Sequence, residues 1–320
     1  MADILKYRIP GENPVSQIGR FEEEVISSDS EGFIVSDFEA KKFYRFQQTD
    51  DKFEKLHLTE NKPIIISQKE YLVQAEQFLN SIKENGLSKA VLSRINEVDF
   101  DENQSFVIFD ALLLEYPSAF VYLISSKTVG TWIGATPETL LMSDGDIIQT
   151  TSLAGTKKSD DSSDWGQKEM NEQQFVTDFI LEKLKAIEVN NIISNGPYSM
   201  QAGPVKHLKT DLTFERNGIP ILNLLNLLHP TPAVSGLPQK ESIDLITKTE
   251  KHDRELYSGI IGLCSKGKNR FYVNLRCCQI QKGKAYLYVG GGFTKDSIAQ
   301  LEWQETENKS KTLLNILQNK

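Results

Sequence analysis

Cysteine is scarce in this 320-residue chain: there are three, Cys264, Cys277 and Cys278, two of them adjacent. An odd count with neighbouring thiols makes no disulfide framework, so the fold has to be held by its core. The four histidines, His57, His207, His229 and His252, are scattered and show no zinc-ligand spacing. No apolar run approaches the roughly 18 residues needed to cross a bilayer. The opening MADILKYRIPGENP has no apolar stretch of the kind a secretion signal carries. Basic residues are outnumbered by acidic ones, 36 to 44, giving a net charge of −8. That balance argues against non-specific binding to nucleic acid or to an anionic membrane, since both need a basic surface. A cytoplasmic protein is the plain expectation. What remains is an ordinary globular composition, 39% hydrophobic and 25% charged, long enough for one large domain or two closely packed ones.

Periodicity supplies the elements. Leu72, Ala75, Phe78, Leu79 and Ile82 recur at helical spacing over 69–85, with Gly86 placed to end the helix. The stretch 89–98 alternates and is rich in β-branched residues, so it reads as a strand with Lys89, Val91, Ser93 and Ile95 on one face. A helix over 104–114, a run of antiparallel strands over 119–149, a polar loop over 157–164 and a helix over 169–185 follow. The second half reads as an extended stretch at 200–214, helices at 218–228 and 240–253, and strands at 260–264, 270–280 and 285–289. Gly290-Gly291-Gly292 reads as a turn into the last helix. Antiparallel blocks with helices between them predict an α+β fold rather than a parallel, doubly wound sheet. Residues 1–65 carry no motif and are expected to be a divergent part of the same fold, with residues 66–320 as its main body and no linker between.

Two glutamate pairs organise the chemistry. Glu302 and Glu305 share a helix face, and Glu169 and Glu172 repeat the spacing on another amphipathic helix. Glu172 is in line with the apolar stripe Phe175, Val176 and Phe179, and Ile298 and Leu301 suggest that Glu302 and Glu305 also face inward. Inward carboxylates need a cation or a proton to offset desolvation; a favourable charge in the first helical turn is the alternative. Glu138 follows Pro137 at the start of an apolar strand, where burial would keep it protonated as a general acid and exposure would make it an ordinary carboxylate. Lys89 is the only lysine on its strand, either a buried general base or a solvated strand-end lysine. Arg276 alternates with apolar neighbours and suits either a bound carboxylate or a structural ion pair. Gly155-Thr156 and the 290–292 glycines offer backbone N–H groups to an anion. His229, between Leu228 and Pro230, reads more readily as a hydrogen-bonded core histidine than as a catalyst.

Taken in order, these segments resemble the chorismate-utilising enzymes, a family of isochorismate, salicylate, anthranilate and aminodeoxychorismate synthases. The resemblance rests on Lys89-Ala-Val-Leu-Ser-Arg94, Gly134-Ala-Thr-Pro-Glu138, Ala154-Gly-Thr156, the Glu169/Glu172 helix and Leu228-His-Pro-Thr-Pro-Ala-Val-Ser-Gly236. It continues through Tyr257-Ser-Gly259, Arg276, Gly290–Gly292 and Glu302-Trp-Gln-Glu305 to Lys309, about two-thirds of the chain. It implies two antiparallel β-sheets around a central cleft with helices outside, and a chorismate-binding catalytic unit over 66–320. It also implies Mg²⁺ between the acidic helices, with Glu172 and Glu305 as ligands and Glu169 and Glu302 on its waters, a donor set that suits a hard cation. Gly155, Thr156, His229, Ala233, Tyr257, Arg276, Gly290, Gly291 and Lys309 fall at substrate-binding positions.

The branch is read from two positions. Amine-adding relatives have glutamine where this chain has Lys89, and aminodeoxychorismate synthases have a nucleophilic lysine where it has Ala154. Isochorismate synthase is therefore the implied activity, with Lys89 as base and Glu138 as acid, no amidotransferase subunit, and menaquinone or a catechol siderophore downstream. Salicylate synthase, which goes on to eliminate pyruvate, is the alternative. Three positions depart from the family pattern. Gln173 stands where a histidine commonly follows the metal-binding glutamate, Lys157 where an arginine follows Ala-Gly-Thr, and Gly-Gly-Gly-Phe-Thr where Gly-x-Gly-Ile-Val is usual.

Overall fold

Every strand pairing in the computed structural model is antiparallel, and the strands join in one 16-stranded sheet. The structure describes residues 2–26, 30–202 and 205–318, apart from the side chains at 156 and 202. In chain order, β1 (Asp3–Arg8), β2 (Val15–Glu23), β3 (Gly32–Ser36) and β4 (Phe43–Gln48) precede α1 (Gln68–Glu84), β5 (Lys89–Asp99) and α2 (Ser105–Glu115). Next come β6 (Phe120–Ser126), β7 (Gly130–Thr136), β8 (Thr139–Asp144), β9 (Ile147–Lys158) and α3 (Gln167–Ala186). The hairpin β10 (Ile193–Ala202) and β11 (Val205–Glu215) leads to α4 (Ile221–Leu228), β12 (Gly236–Leu237) and α5 (Gln239–Thr249). Last are β13 (Ile260–Cys264), β14 (Lys268–Val273), β15 (Cys277–Gln281), β16 (Lys284–Phe293) and α6 (Ala299–Gln318). The α+β architecture expected from the sequence is the one found. Among the described residues no helix is long and apolar enough to cross a membrane.

Local chemistry explains the elements that frame the site. Ser67 and Glu70 form a reciprocal capping box at the start of α1, and the helix buries Tyr71, Ala75, Phe78 and Ile82. Burying side chains of this size contributes roughly 1.5–3 kcal/mol each for the large ones. The central strands β6 and β7 are buried at every residue, as is β5 from Lys89 to Ile95. Both faces of the sheet are therefore covered: α2 and the end of α6 pack on one side through Leu112, Leu313 and Leu317. An aromatic cluster including Phe120, Tyr122, Trp132 and Tyr288 fills the other.

The N-terminal strands link the two blocks of the sheet. β3 pairs with β13 and β1 pairs with β6, so β3, β4, β2 and β1 lie between β13 and β6 in the strand order. The two-sheet expectation thus takes the form of a single ladder with β1–β4 at its middle.

Two local readings change. The stretch 270–280 is not one strand: β14 pairs with β8 and β13, whereas β15 pairs with β7 and β16. The chain must cross between blocks, and it breaks at Asn274-Leu275-Arg276, where Arg276 takes a φ of 50°. The 290–292 glycines form no turn. They sit inside β16, paired with Ser93, Leu92 and Val91 of β5. Glycine is favoured there by crowding rather than by backbone conformation. A Cβ at Gly290 would stand 3.0 Å from the Tyr257 hydroxyl, at Gly291 3.2 Å from Glu302 Oε2, and at Gly292 2.8 Å from Lys89 Cε.

Candidate active site

The strand break at Arg276 and the bare stretch of β16 open one cavity of about 810 Å³, counting its mouth. Lys89 enters it from the first residue of β5, which is pinned by pairing with Leu237 of β12 and by the Ser242 hydroxyl donating to its carbonyl at 3.0 Å. Glu138 enters from the β7–β8 connection. There the Thr136 hydroxyl donates to Val273 O at 2.6 Å, and Val273 N donates to Glu138 O at 3.0 Å. Both side chains are buried, at 4% and 5% exposure, so the solvated alternatives for each are excluded. Burial lifts the Glu138 carboxyl to about 7 despite the opposing pull of Lys89, Lys309 and Arg276.

The remaining wall is cationic and hydroxylic. Arg276 Nη1 donates to Lys309 O at 3.0 Å, and Lys309 Nζ donates to Gly290 O at 2.9 Å and lies 2.7 Å from Glu305 Oε1. Tyr257, Gly155 and Ala233 complete it. Arg276 and Lys309 converging with backbone groups on one space suit a ligand carrying more than one carboxylate.

The acidic helices meet at the edge of this cavity. Glu172 and Glu305 line it, while Glu302 is buried behind Gly291 at 1% exposure. Glu302 Oε1 accepts from the Ser297 hydroxyl at 2.7 Å, but its Oε2 has no partner among the described residues. Burial and the neighbouring Glu305 raise the Glu302 pKa. Burial would raise Glu305 as well, yet Lys309, Lys168 and Lys89 hold it below the ordinary range. Among the described residues no three carboxylate, histidine or cysteine groups are already arranged around a metal. The orphaned oxygen and the all-carboxylate donors nonetheless fit a hard cation such as Mg²⁺, which keeps several waters and uses few protein ligands.

Several expectations are corrected. Ile298 and Leu301 are exposed, and the buried stripe of α6 runs through Glu302, Thr306, Ser310, Leu313 and Leu317 instead. His229 lies outside the cavity: its Nε2 is 2.9 Å from Phe38 O, and burial lowers its pKa to about 4. It is a neutral core histidine, so His229→Ala should cost about 2–4 kcal/mol in urea unfolding with an unchanged substrate KM. Glu169 packs on Gly155 with its carboxylate turned to Gly166, where an added Cβ would stand 2.6 Å from Oε2. Gly291 faces Glu302 rather than the cavity. The Thr156 backbone lies in β9, opposite His207, and its side chain is outside the described residues.

Of the departures, Gln173 is buried among the hydroxyls of Ser152, Thr177 and Thr210, tying α3 to β9 and β11. Lys157 reaches over the Trp165 ring to Ser163. One titratable lining residue was given no role in the sequence reading. His207 faces the cavity with Nδ1 3.0 Å from Gly155 O, and burial and Arg276 lower its pKa to about 4. Its only signal was a histidine in an extended stretch. Its approach to Gly155 depends on a pairing irregularity between β9 and β11.

Known proteins with this architecture bear on the site. The chain is 30% identical over 243 residues to isochorismate synthase EntC of Escherichia coli strain K12, covering 72% of this chain and 62% of that protein. It therefore spans less than two-thirds of that relative's length. It is 30% identical over 293 residues to isochorismate synthase MenF of Pasteurella multocida, covering 84% and 67%. Among solved structures, MenF, the menaquinone-specific isochorismate synthase of Escherichia coli, superposes with a TM-score of 0.83 at 19% identity, covering 98% of this chain and 88% of that one. Anthranilate synthase component I of Streptococcus pneumoniae superposes at 0.72 and 18%, covering 98% and 92%; both likenesses concern the fold alone. The family model described as chorismate binding enzyme matches residues 27–318. By that match the chain belongs to the chorismate-binding enzyme family.

Proposed function

We propose that this chain is an isochorismate synthase, converting chorismate to isochorismate by adding water at C2 with loss of the C4 hydroxyl. The fold does not select the reaction, because a chain named anthranilate synthase component I shares it. The observation that carries the reading is the burial of Lys89 and Glu138 in one cavity. Lys89 takes a proton from water as the oxygen bonds to C2. Both ring double bonds shift, C1=C2 to C1=C6 and C5=C6 to C4=C5, the C4–O bond breaks, and protonated Glu138 gives its proton to the departing hydroxyl. Ammonia would need no such base, and Ala154 in the cavity lining offers no nucleophile. The reaction needs no amidotransferase subunit for the same reason.

Arg276, Lys309, Tyr257 and the backbone at Gly155 and Gly290 would hold the substrate carboxylates and fix the ring. Mg²⁺, held by Glu172 and Glu305 with Glu302 behind them, would supply positive charge beside the ring carboxylate. Menaquinone or a catechol siderophore is the proposed destination of the product.

Chromatography of the product formed in H₂¹⁸O tests the reading. Isochorismate carrying the label at C2 is the expected result. Salicylate and pyruvate as sole products would point to the synthase that eliminates pyruvate, and an aminated product in the presence of ammonia would overturn the assignment. Gly292→Ala offers a separate check, since its Cβ would meet Lys89 Cε at 2.8 Å. The flexible lysine gives way rather than the strand, so kcat should fall by about 10- to 100-fold while the thermal midpoint holds.

A further inference from the structure

We propose that Lys168 is a built-in competitor for the divalent cation: its ammonium stands in the carboxylate cluster of α3 and α6, and the cation binds by displacing it. The inference rests on the reading that these carboxylates hold Mg²⁺. Lys168 Nζ is 3.3 Å from Glu302 Oε1 and 3.9 Å from Glu172 Oε1, bridging the two acidic helices as a cation would. The Glu172 contact is an i,i+4 pair within α3, in the less favourable lysine-first order, whereas the shorter Glu302 contact crosses to α6. Lys168 lies in the first turn of α3, two residues after the Gly166 N-cap, where the macrodipole disfavours positive charge. The carboxylates are what hold it there.

The ammonium is an incomplete substitute. It reaches one oxygen of Glu302, and Oε2 stays without a partner among the described residues. A divalent ion with several coordination positions satisfies such a cluster more fully. The lysine also has somewhere to go. Its side chain is 49% exposed, and with Glu172 it lines a neighbouring cleft of about 1540 Å³, counting the open mouth, where Asp296 can receive the displaced charge. Because only molecules with the ammonium swung out can take the cation, the apparent affinity is lowered by that fraction.

Mn²⁺ titration of the substrate-free protein, read by the EPR signal of free Mn²⁺, tests this without recourse to activity. Lys168→Met should tighten the Mn²⁺ Kd by about five- to tenfold, with Mg²⁺ competing at the same site. Lys83→Met removes a charge from the same cleft without touching the carboxylates and should leave Kd within about twofold, the scale of a distant exposed charge. Binding by Lys168→Met where the wild type shows none would also support the proposal. An unchanged or weaker Kd in Lys168→Met, with binding by the wild type, overturns it and leaves the metal reading intact. Equal tightening in both variants overturns it too, since the effect would then be net charge. No binding in either the wild type or Lys168→Met overturns both this inference and the metal site. Lys168→Gln, checked for folding by circular dichroism, repeats the test with a polar side chain.

Discussion

Lys89→Ala is expected to lower kcat for chorismate by about 10²–10⁴-fold, the span of a positioned general base, with little change in KM. The residue is buried, begins β5 and faces the cavity beside Gly292. Arg276 and Lys309 also line the cavity and are the groups proposed to meet the substrate's charge, so binding should survive its loss. Lys89→Arg should fail to restore turnover, because a guanidinium keeps its proton at any working pH. Steady-state kinetics with a thermal melt on each variant decide the matter. Isochorismate formation by Lys89→Ala within tenfold of wild type would sink the base assignment.

Glu138→Gln should be as damaging to turnover and should make the protein more stable at alkaline pH. As a general acid Glu138 works only when protonated, and its carboxyl sits at about 7 because of burial. Wild-type activity should therefore decline as pH rises through about 7. The stability sign follows from the same shift. The folded state holds this proton more tightly than the unfolded chain, whose carboxyl titrates at its ordinary value of 4.5. Between those two values stability falls as pH rises, and above about 7 the full cost of a buried carboxylate is present. Glutamine cannot ionise and avoids that cost. Glu138→Gln is thus expected to be more stable than wild type at pH 8 by on the order of 2 kcal/mol, and equal to it near pH 4. Urea unfolding at the two pH values reads the difference. A variant less stable than wild type at pH 8 would show that Glu138 is held as a paired carboxylate.

Much of this was legible in the residues. The capped helix from Gln68, the strand that begins with Lys89 and the glutamate pairs of α3 and α6 follow from period and spacing. Such patterns record which face of an element is buried, and that is a local property. The errors fell where a local pattern had two physical causes. Three glycines in a row serve a turn or a crowded strand equally well, and only the side chains of Tyr257, Glu302 and Lys89 pressing on β16 tell them apart. Ile298 and Leu301 are apolar yet exposed, because the turn before α6 sets the helix with Glu302 inward.

By itself, then, the sequence determined the antiparallel α+β class, most of the elements, and which residues are proposed as base, acid and acidic pairs. Tertiary structure alone decided that β1–β4 lie at the middle of one continuous sheet, that His229 stays out of the cavity, and that His207 faces it. It also decided that Arg276 turns inward at the break between β14 and β15, and that Lys168 stands among the carboxylates. Each of these depends on groups far apart in the chain, and spacing along a strand or helix carries no information about what packs against it.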